Sequence, residues 1–316
     1  DSRTVYAMEY AGVDTHVWAL PVDGGEGQRV LDSATYKFAF SRMQAGAVTF
    51  AAETFDQPNH LVVWRPGHDP QPVVTPALPE DWPVTRLPEI ELLTWKGPGG
   101  MPVEGIVRRP FGYEEGDRCP LVVHVHGGPN GIFLRRYMAW PDRQCDMLML
   151  AEAGIAVLRV NPRGSSGYGR DFRFANYGDW GGGDFGDIMA GVDLLVDRGL
   201  ADPDRLGIMG WSYGGYMTSW AITQTDRFKA ACVGAGVTNL MSFTGTADIP
   251  GFLPDYFAGE AWDDLPTYLE HSALGNVAGV TTPTLVQHGD ADVRVPLGQG
   301  REFYNALKRQ GVEAQM

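Results

Sequence analysis

Cysteine is scarce in this chain, which has only Cys119, Cys145 and Cys232 among its 316 residues. Their odd number and the lack of any C-x-x-C spacing argue against a disulfide framework and a zinc knuckle, and slightly favour a reducing compartment. The sequence also has no run of roughly 18 apolar residues that could span a membrane. We therefore expect a cytoplasmic protein with no membrane partner.

Basic residues are in the minority, with 25 Lys and Arg against 39 Asp and Glu, and the net charge is −14. Such a balance disfavours electrostatic attraction to nucleic acid phosphates or anionic lipid. Hydrophobic residues make up 44% of the chain, which is enough to bury a sizeable core. The length predicts one large or two ordinary domains. The charge balance predicts no nucleic acid partner.

Alternating apolar and polar residues, separated by Gly- and Pro-rich turns, mark the N-terminal part of the chain. This pattern predicts an antiparallel meander. A propeller blade has four short strands in roughly 40 to 45 residues, so the region predicts at most two blades. Two blades cannot close a ring, and we expect an incomplete β-propeller; a small independent β-sheet extension is the alternative. The predicted strands are Val5–Tyr10, His16–Pro21, Ala47–Ala52 and His60–Trp64.

A Pro-rich segment, Thr75–Pro88, predicts a stiff linker, so residues 1–85 form one predicted domain and 86–316 another. Beyond the linker, strands and helices alternate, which predicts a mostly parallel, doubly wound α/β sheet. The elements that carry this prediction are a hairpin of Ile90–Trp95 and Val103–Val107, strands Leu121–His126 and Ile155–Val160, and a helix around 142–152 between those strands.

The sequence Gly210-Trp211-Ser212-Tyr213-Gly214-Gly215 has the form of a nucleophile elbow, a strand-to-helix turn that exposes a serine hydroxyl above a parallel sheet. Arg205–Met209 before it predicts a buried strand, and Tyr213–Gln224 after it predicts a helix. A side chain at position 210 or 214 would collide with the strand or with the first turn of the helix. Ser212 is therefore the candidate nucleophile, and a Gly-rich turn without chemistry is the alternative.

An oxyanion hole in this fold combines the N–H of the residue after the nucleophile with one from the loop after an earlier strand. Tyr213 supplies the first donor. His126-Gly127-Gly128-Pro129 follows the Leu121–His126 strand, and there we prefer Gly128 to Gly127 as the second donor. An ordinary Gly-Gly turn is the alternative for this loop.

The triad acid should follow a later strand than the nucleophile, and Thr284–His288 predicts such a strand. Either Asp290 or Asp292 after it could orient a histidine, although Asp290 could serve only the turn. No histidine follows His288, so the general base is expected beyond Met316, after the helix from about Leu297 to Gln310 and the start of a further strand. His124 and His126 share a strand face but lack a third ligand at sensible spacing, so no metal is predicted.

Four blocks together resemble the prolyl oligopeptidase family of serine peptidases, particularly its acylaminoacyl peptidase and dipeptidyl aminopeptidase-like branch. The blocks are His126–Pro129, Asn161–Gly169, Gly210–Tyr216 and His288–Pro296, in family order. The resemblance implies Ser212 as nucleophile, Asp292 rather than Asp290 as acid, and Arg294 as a ligand of a substrate carbonyl. It also implies a specificity pocket for an apolar or aromatic residue, lined by Tyr213, Val237, Leu240, Phe243 and Val295.

The resulting prediction is an α/β-hydrolase fold preceded by the last one or two blades of a propeller, in a chain truncated at both ends. Its function would be that of a serine-type peptidase that cleaves short peptides through an acyl-enzyme on Ser212, without a cofactor. The resemblance also implies a possible homo-oligomer. Without its base the chain as given should be nearly inactive. A carboxylesterase and a non-catalytic interaction protein are the alternatives.

Overall fold

The computed structural model describes residues 3–32, 34–74, 87–137 and 147–316. The chain separates into two compact units. The first comprises Asp1–Leu87, Ile132–Leu148 and Ser166–Gly169, and the second comprises Pro88–Gly131, Met149–Ser165 and Arg170–Met316. The predicted domain boundary after residue 85 and most of the Pro-rich linker lie outside the described residues, so this boundary stays a prediction.

The first unit contains two antiparallel meanders. Their strands are β1 (Thr4–Ala11), β2 (Asp14–Pro21) and β3 (Gln28–Leu31) in one sheet, and β4 (Tyr36–Phe38), β5 (Val48–Glu53), β6 (His60–Trp64) and β7 (Gln71–Val74) in the other. Each sheet follows chain order from strand to strand. The four predicted strands correspond to β1, β2, β5 and β6. The shorter β3, β4 and β7 were not predicted.

Successive side chains of a strand point to opposite faces, which is why alternate residues of the second meander are buried. Phe50 on β5 and Trp64 on β6 are almost fully buried in the core of this unit. Lys37 on β4 is buried too, and its Nζ donates a hydrogen bond to the carbonyl oxygen of Thr15 at 2.8 Å. Burial lowers the pKa of Lys37 to about 8.

Two later stretches of chain belong to this first unit. Arg135 Nε lies 2.7 Å from a carboxylate oxygen of Asp14, and Arg136 Nε lies 2.9 Å from one of Glu53. The N–H of Gly12 donates to the carbonyl oxygen of Gly167 at 2.9 Å. The first unit is therefore assembled from three separate parts of the sequence.

An eight-stranded sheet forms the centre of the second unit. Its strands are β8 (Ile90–Lys96), β9 (Pro102–Arg108), β10 (Cys119–Val125), β11 (Ala156–Asn161), β12 (Ala201–Trp211), β13 (Phe228–Gly234), β14 (Thr284–Gln287) and β15 (Ala314–Gln315). Their order is β15-β14-β13-β12-β10-β11-β9-β8. The β8–β9 and β9–β11 pairs are antiparallel, and the other neighbours are parallel. The predicted hairpin and mostly parallel sheet are confirmed.

Eight helices are described, and they connect or flank the strands. They are α1 (Met147–Glu152), α2 (Arg170–Phe174), α3 (Gly183–Asp197), α4 (Tyr213–Gln224), α5 (Leu240–Thr246), α6 (Phe252–Phe257), α7 (Leu265–Glu270) and α8 (Leu297–Arg309). The bounds of α4 match the prediction, and α8 ends one residue earlier than predicted. No described helix is long and apolar enough to cross a membrane.

Candidate active site

Ser212 lies between β12 and α4, at a sharp turn of the backbone. Its φ of 60° and ψ of −118° fall in a region that residues with a side chain rarely adopt. The backbone around it is held on both sides, because the Ser212 N–H donates to Gly234 O and the Tyr216 N–H donates to Ser212 O, both at 2.9 Å. The segment therefore has the strand, strained serine and helix of a nucleophile elbow.

The two glycines that flank the elbow are required by close backbone packing. A Cβ atom on Gly210 would lie 2.6 Å from the carbonyl oxygens of both Gly214 and Val125. A Cβ atom on Gly214 would overlap the same oxygen of Val125. The predicted collisions with the strand and the helix are therefore confirmed, and β10 is the strand that lies against the elbow.

The loop after β10 lies directly against the nucleophile. A Cβ atom on Gly127 would lie 3.4 Å from the Cβ of Ser212, and Gly128 has a φ of 133° that favours glycine. Within the described residues, no hydrogen bond is formed by the backbone N–H of Gly128 or of Tyr213. Both lie on the cavity beside Ser212 as unpaired donors, the arrangement that an oxyanion hole needs.

A cavity of about 420 Å³ opens beside the nucleophile. Seven of the residues predicted for the site line it: Gly128, Ser212, Tyr213, Val237, Phe243, Arg294 and Val295. Leu240 does not line it and is fully buried on α5. Four further residues, which were not predicted from the sequence, complete the lining: Asn130, Trp180, Ile249 and Phe252. The walls are therefore mainly apolar and aromatic.

Asp292 lies in the loop after β14 and is partly exposed, whereas Asp290 is exposed. Asp292 Oδ1 accepts hydrogen bonds from the N–H groups of Arg294 and Val295, each at 3.0 Å. Its Oδ2 has no hydrogen-bond partner within the described residues. His288 closes the same loop, with its Nε2 2.7 Å from the carbonyl oxygen of Val295. One carboxylate oxygen is thus fixed by the loop and the other is available to a further donor.

Arg294 reaches the mouth of the cavity in an ion pair. Its Nε lies 2.6 Å from Asp248 Oδ1 and its Nη2 lies 3.3 Å from Asp248 Oδ2. Hydrogen bonding from Arg294 lowers the pKa of Asp248, and the same contact raises the pKa of Arg294. Both side chains are well exposed, so the pair contributes little to stability and leaves Arg294 accessible.

No general base is paired with the nucleophile among the described residues. All seven histidines of the chain are described, and none forms a hydrogen bond with Ser212 Oγ. His126, the nearest along the chain to the Gly127–Gly128 loop, is buried and has its Nε2 2.9 Å from Ser165 Oγ. Burial lowers the pKa of His126 to about 4, which keeps the ring neutral.

His124 and His126 pack separately. Arg159 Nε lies 3.2 Å from His124 Nδ1, and His126 Nδ1 lies 2.8 Å from Gly127 O. The part of the chain that the structure describes has no group of three or more His, Cys, Asp or Glu side chains placed to hold a metal ion.

Trp180 forms the centre of an aromatic cluster behind the cavity. Its ring centroid lies 4.9 Å from that of Tyr213 and 5.1 to 5.9 Å from those of Tyr216, Phe252, Tyr256 and Phe257. Beneath Tyr213, the buried carboxylate group of Asp184 accepts a hydrogen bond from the Tyr213 hydroxyl. Burial raises the pKa of Asp184 to about 7, and it also raises the pKa of Tyr213. The Gly-rich sequence around Trp180 is the sequence feature from which this part of the site could have been predicted.

The elbow and the acid loop both lie within the part of the chain that matches a known family of proteins. The sequence profile described as "Prolyl oligopeptidase family" matches residues 141–316. This chain belongs to the prolyl oligopeptidase family. The "Uncharacterized peptidase YuxL" of Bacillus subtilis (strain 168) is 39% identical over 219 residues, covering 69% of this chain and 32% of that relative.

Solved structures show the same architecture for this family member. The acylaminoacyl peptidase of Pyrococcus horikoshii matches 99% of this chain and 48% of its own, with a TM-score of 0.86 and 27% identity. An acylaminoacyl peptidase in complex with Z-Gly-Gly-Phe-chloromethyl ketone matches 99% of this chain and 48% of its own, with a TM-score of 0.84 and 28% identity. The predicted α/β-hydrolase fold with a preceding β-propeller segment is confirmed. The chain spans about a third of the curated relative and about half of each solved structure.

Proposed function

We propose that this chain carries the nucleophile, acid, oxyanion hole and specificity cavity of a serine peptidase that hydrolyses short peptides. The observation that carries the proposal is the strained Ser212, which shares a cavity with two unpaired backbone N–H donors. Membership of the prolyl oligopeptidase family supports it. The type proposed is an acylaminoacyl peptidase or a dipeptidyl aminopeptidase-like enzyme.

In the proposed mechanism, Ser212 Oγ attacks the carbonyl carbon of the scissile peptide bond and forms a tetrahedral intermediate. The N–H groups of Gly128 and Tyr213 stabilise the negative charge that develops on the carbonyl oxygen. The histidine proposed as general base takes the proton from Ser212 and passes it to the leaving amine as the intermediate collapses, which leaves an acyl group on Ser212. Water then releases this group as the carboxylic acid and returns the proton to Ser212. Asp292, whose Oδ2 has no hydrogen-bond partner within the described residues, is proposed to orient this histidine, which is expected after residue 316.

The cavity supports a preference for a substrate with an apolar or aromatic side chain before the scissile bond. Trp180, Val237 and Phe243 provide buried apolar walls, and a volume of about 420 Å³ accommodates an aromatic ring. The chloromethyl ketone bound to one solved relative has phenylalanine next to its reactive group. Arg294 at the mouth is proposed to bind a carbonyl oxygen of the substrate.

The decisive experiment uses the gene product extended through the expected histidine. It compares an aminoacyl anilide that has phenylalanine before the scissile bond with a short-chain ester, and follows labelling of Ser212 by a serine-reactive phosphonate. We expect anilide turnover, labelling at Ser212, and a loss of at least about a thousandfold in kcat for Ser212→Ala. Asp292→Asn should lower kcat by a similar order, whereas Asp290→Asn should leave it within about twofold.

The outcomes separate the candidate functions. Turnover of the ester alone would assign the chain to the carboxylesterases. A properly folded, extended protein that neither labels nor hydrolyses any substrate would make it a non-catalytic interaction protein. Residues 1–316 alone should turn over several orders of magnitude more slowly than the extended protein. The cytoplasmic location and the homo-oligomer expected from the sequence remain predictions.

A further inference from the structure

A single buried carboxyl group, that of Asp184, contacts two parts of the site: Tyr213 in the oxyanion hole and the turn that carries Trp180. Asp184 is the second residue of α3 and is fully buried. Its Oδ1 accepts hydrogen bonds from the N–H groups of Gly181 and Phe185, each at 2.8 Å. Its Oδ2 accepts a hydrogen bond from the hydroxyl of Tyr213. No cationic side chain contacts Asp184 within the described residues, so its role is not that of an ion-pair partner.

The Oδ2 contact reaches the oxyanion hole. Tyr213 directly follows Ser212, begins α4 and offers its own N–H to the cavity. Its side chain is almost fully buried and is fixed at two points, by Asp184 at the hydroxyl and by Trp180 against the ring. A strained residue such as Ser212 persists only when its surroundings determine its conformation. The anchored ring of Tyr213 supplies that restraint on the helical side of the elbow.

The Oδ1 contact reaches the specificity wall. Gly181 follows Trp180 and is held on both sides: its N–H donates to Asp184, and its carbonyl oxygen accepts a hydrogen bond from Trp220 Nε1 at 2.7 Å. The carbonyl oxygen of Trp180 lies 2.7 Å from His271 Nδ1. Trp180 therefore lies in a turn whose backbone is fixed, and its ring forms part of the cavity.

We propose that Asp184 is a positioning residue that couples the cavity wall at Trp180 to the oxyanion donor at Tyr213. The inference rests on the proposed peptidase function. Through one carboxyl group, a substrate side chain that packs against Trp180 stabilises the same arrangement that aims the Tyr213 N–H at the reacting carbonyl oxygen. Asp184 does not touch the substrate and acts only through these two residues.

Three variants separate the two contacts. Tyr213→Phe removes only the Oδ2 contact, Asp184→Ala removes both contacts, and Asp184→Asn keeps an uncharged side chain of the same shape. For the phenylalanyl anilide, we expect Tyr213→Phe to lower kcat at least about tenfold while KM changes by less than about threefold. Asp184→Ala should lower kcat as much and also raise KM, because the Trp180 wall loosens. Asp184→Asn should restore kcat to within about threefold of the wild type.

A double-mutant cycle and a tetrahedral mimic provide readouts that general destabilisation would not move. Tyr213→Phe should have no further effect on kcat in the Asp184→Ala background. Alone, Tyr213→Phe should weaken the binding of a peptidyl boronate, a tetrahedral mimic, by the same factor as it lowers kcat. The affinity for a matched non-covalent peptide amide should stay within about twofold of the wild-type value. Val192→Ala, a truncation of a buried residue elsewhere on α3, serves as the matched stability control and should leave kcat and KM unchanged.

A folded Tyr213→Phe or Asp184→Ala protein that keeps the wild-type kcat would overturn this inference, as would additive effects in the cycle. Peptide turnover by the wild-type protein would leave the proposed function intact in either case. A wild-type protein that hydrolyses neither the anilide nor the ester would instead refute the proposed function, and this inference with it.

Discussion

Replacement of Asp184 by asparagine should change how stability depends on pH. The folded state holds this carboxyl group in a buried site that raises its pKa to about 7, against an ordinary value of 3.8. Burial is the main cause, and the nearby negative charge of Asp179 raises the pKa further. The positive charge of Arg163 is paired with Asp187 and forms no hydrogen bond with Asp184. Asparagine has a similar shape and does not titrate.

The size and sign of the effect follow from proton linkage. Between pH 3.8 and about 7, the folded state keeps the proton that the unfolded state has released. The free energy of unfolding therefore falls as pH rises, by about 1.4 kcal/mol for each pH unit and about 4 kcal/mol over this window. The contribution is fully present below pH 3.8 and is lost above about pH 7. In Asp184→Asn this fall is absent.

Urea unfolding, followed by tryptophan fluorescence at intervals between pH 4 and pH 8, measures this contribution. The free energy of unfolding of the wild type minus that of Asp184→Asn should fall by about 4 kcal/mol between pH 4 and pH 7, and stay constant above. Asp202→Asn is the matched control. Hydrogen bonds from the Asp204 N–H and from Arg205 lower the pKa of Asp202 below its ordinary value of 3.8, so the difference between the wild type and Asp202→Asn should stay constant between pH 4 and pH 8. Parallel curves for the wild type and Asp184→Asn would refute the reasoning.

Three further predictions test other parts of the molecule. Gly214→Ala should lower the free energy of unfolding by more than about 2 kcal/mol in a urea titration, because its Cβ would overlap Val125 O. In the same titration, Gly298→Ala on α8 should be neutral or stabilising, because the space around Gly298 is open. The stability of the wild type should rise between about pH 8 and pH 10.5, because the unfolded chain there still binds the Lys37 proton that the folded chain has lost. Lys37→Met should abolish this rise, and an unchanged pH profile of thermal unfolding would contradict the prediction. Asp248→Ala should shift the KM of the anilide with little change in kcat, since the ion pair with Arg294 lies at the cavity mouth; an equal loss in kcat would place the pair in the chemical step.

The parts of the site that the sequence predicts are those in which local sterics decide the structure. Gly210 and Gly214 are required because backbone atoms of the elbow and of Val125 on β10 lie too close for a Cβ, and the short Gly-x-Ser-x-Gly pattern indicates this requirement. The acid loop after β14 is equally local, since Asp292 bonds to the N–H groups two and three residues later. The acid loop is complete within its own segment. The elbow also needs β10 beside it, but its Gly-x-Ser-x-Gly pattern predicts the turn without knowledge of that strand.

The parts that the sequence did not predict depend on packing between distant segments. Trp180 and Phe252 reach the cavity from a turn before α3 and from α6, and only the assembled aromatic cluster brings them together. Leu240 was expected in the lining, but the turn at the start of α5 buries it completely. Strands β3, β4 and β7 were missed because three or four residues are too few for an alternating pattern to be recognised.

The two units are not separated at a single position in the sequence. The segments Ile132–Leu148 and Ser166–Gly169 leave the second unit, join the first and return. A fragment that starts at residue 88 would keep Arg135 and Arg136 but lose the carboxylate groups of Asp14 and Glu53, with which they form ion pairs. Exchange of the first unit between relatives must therefore carry these two segments together with the N-terminal strands.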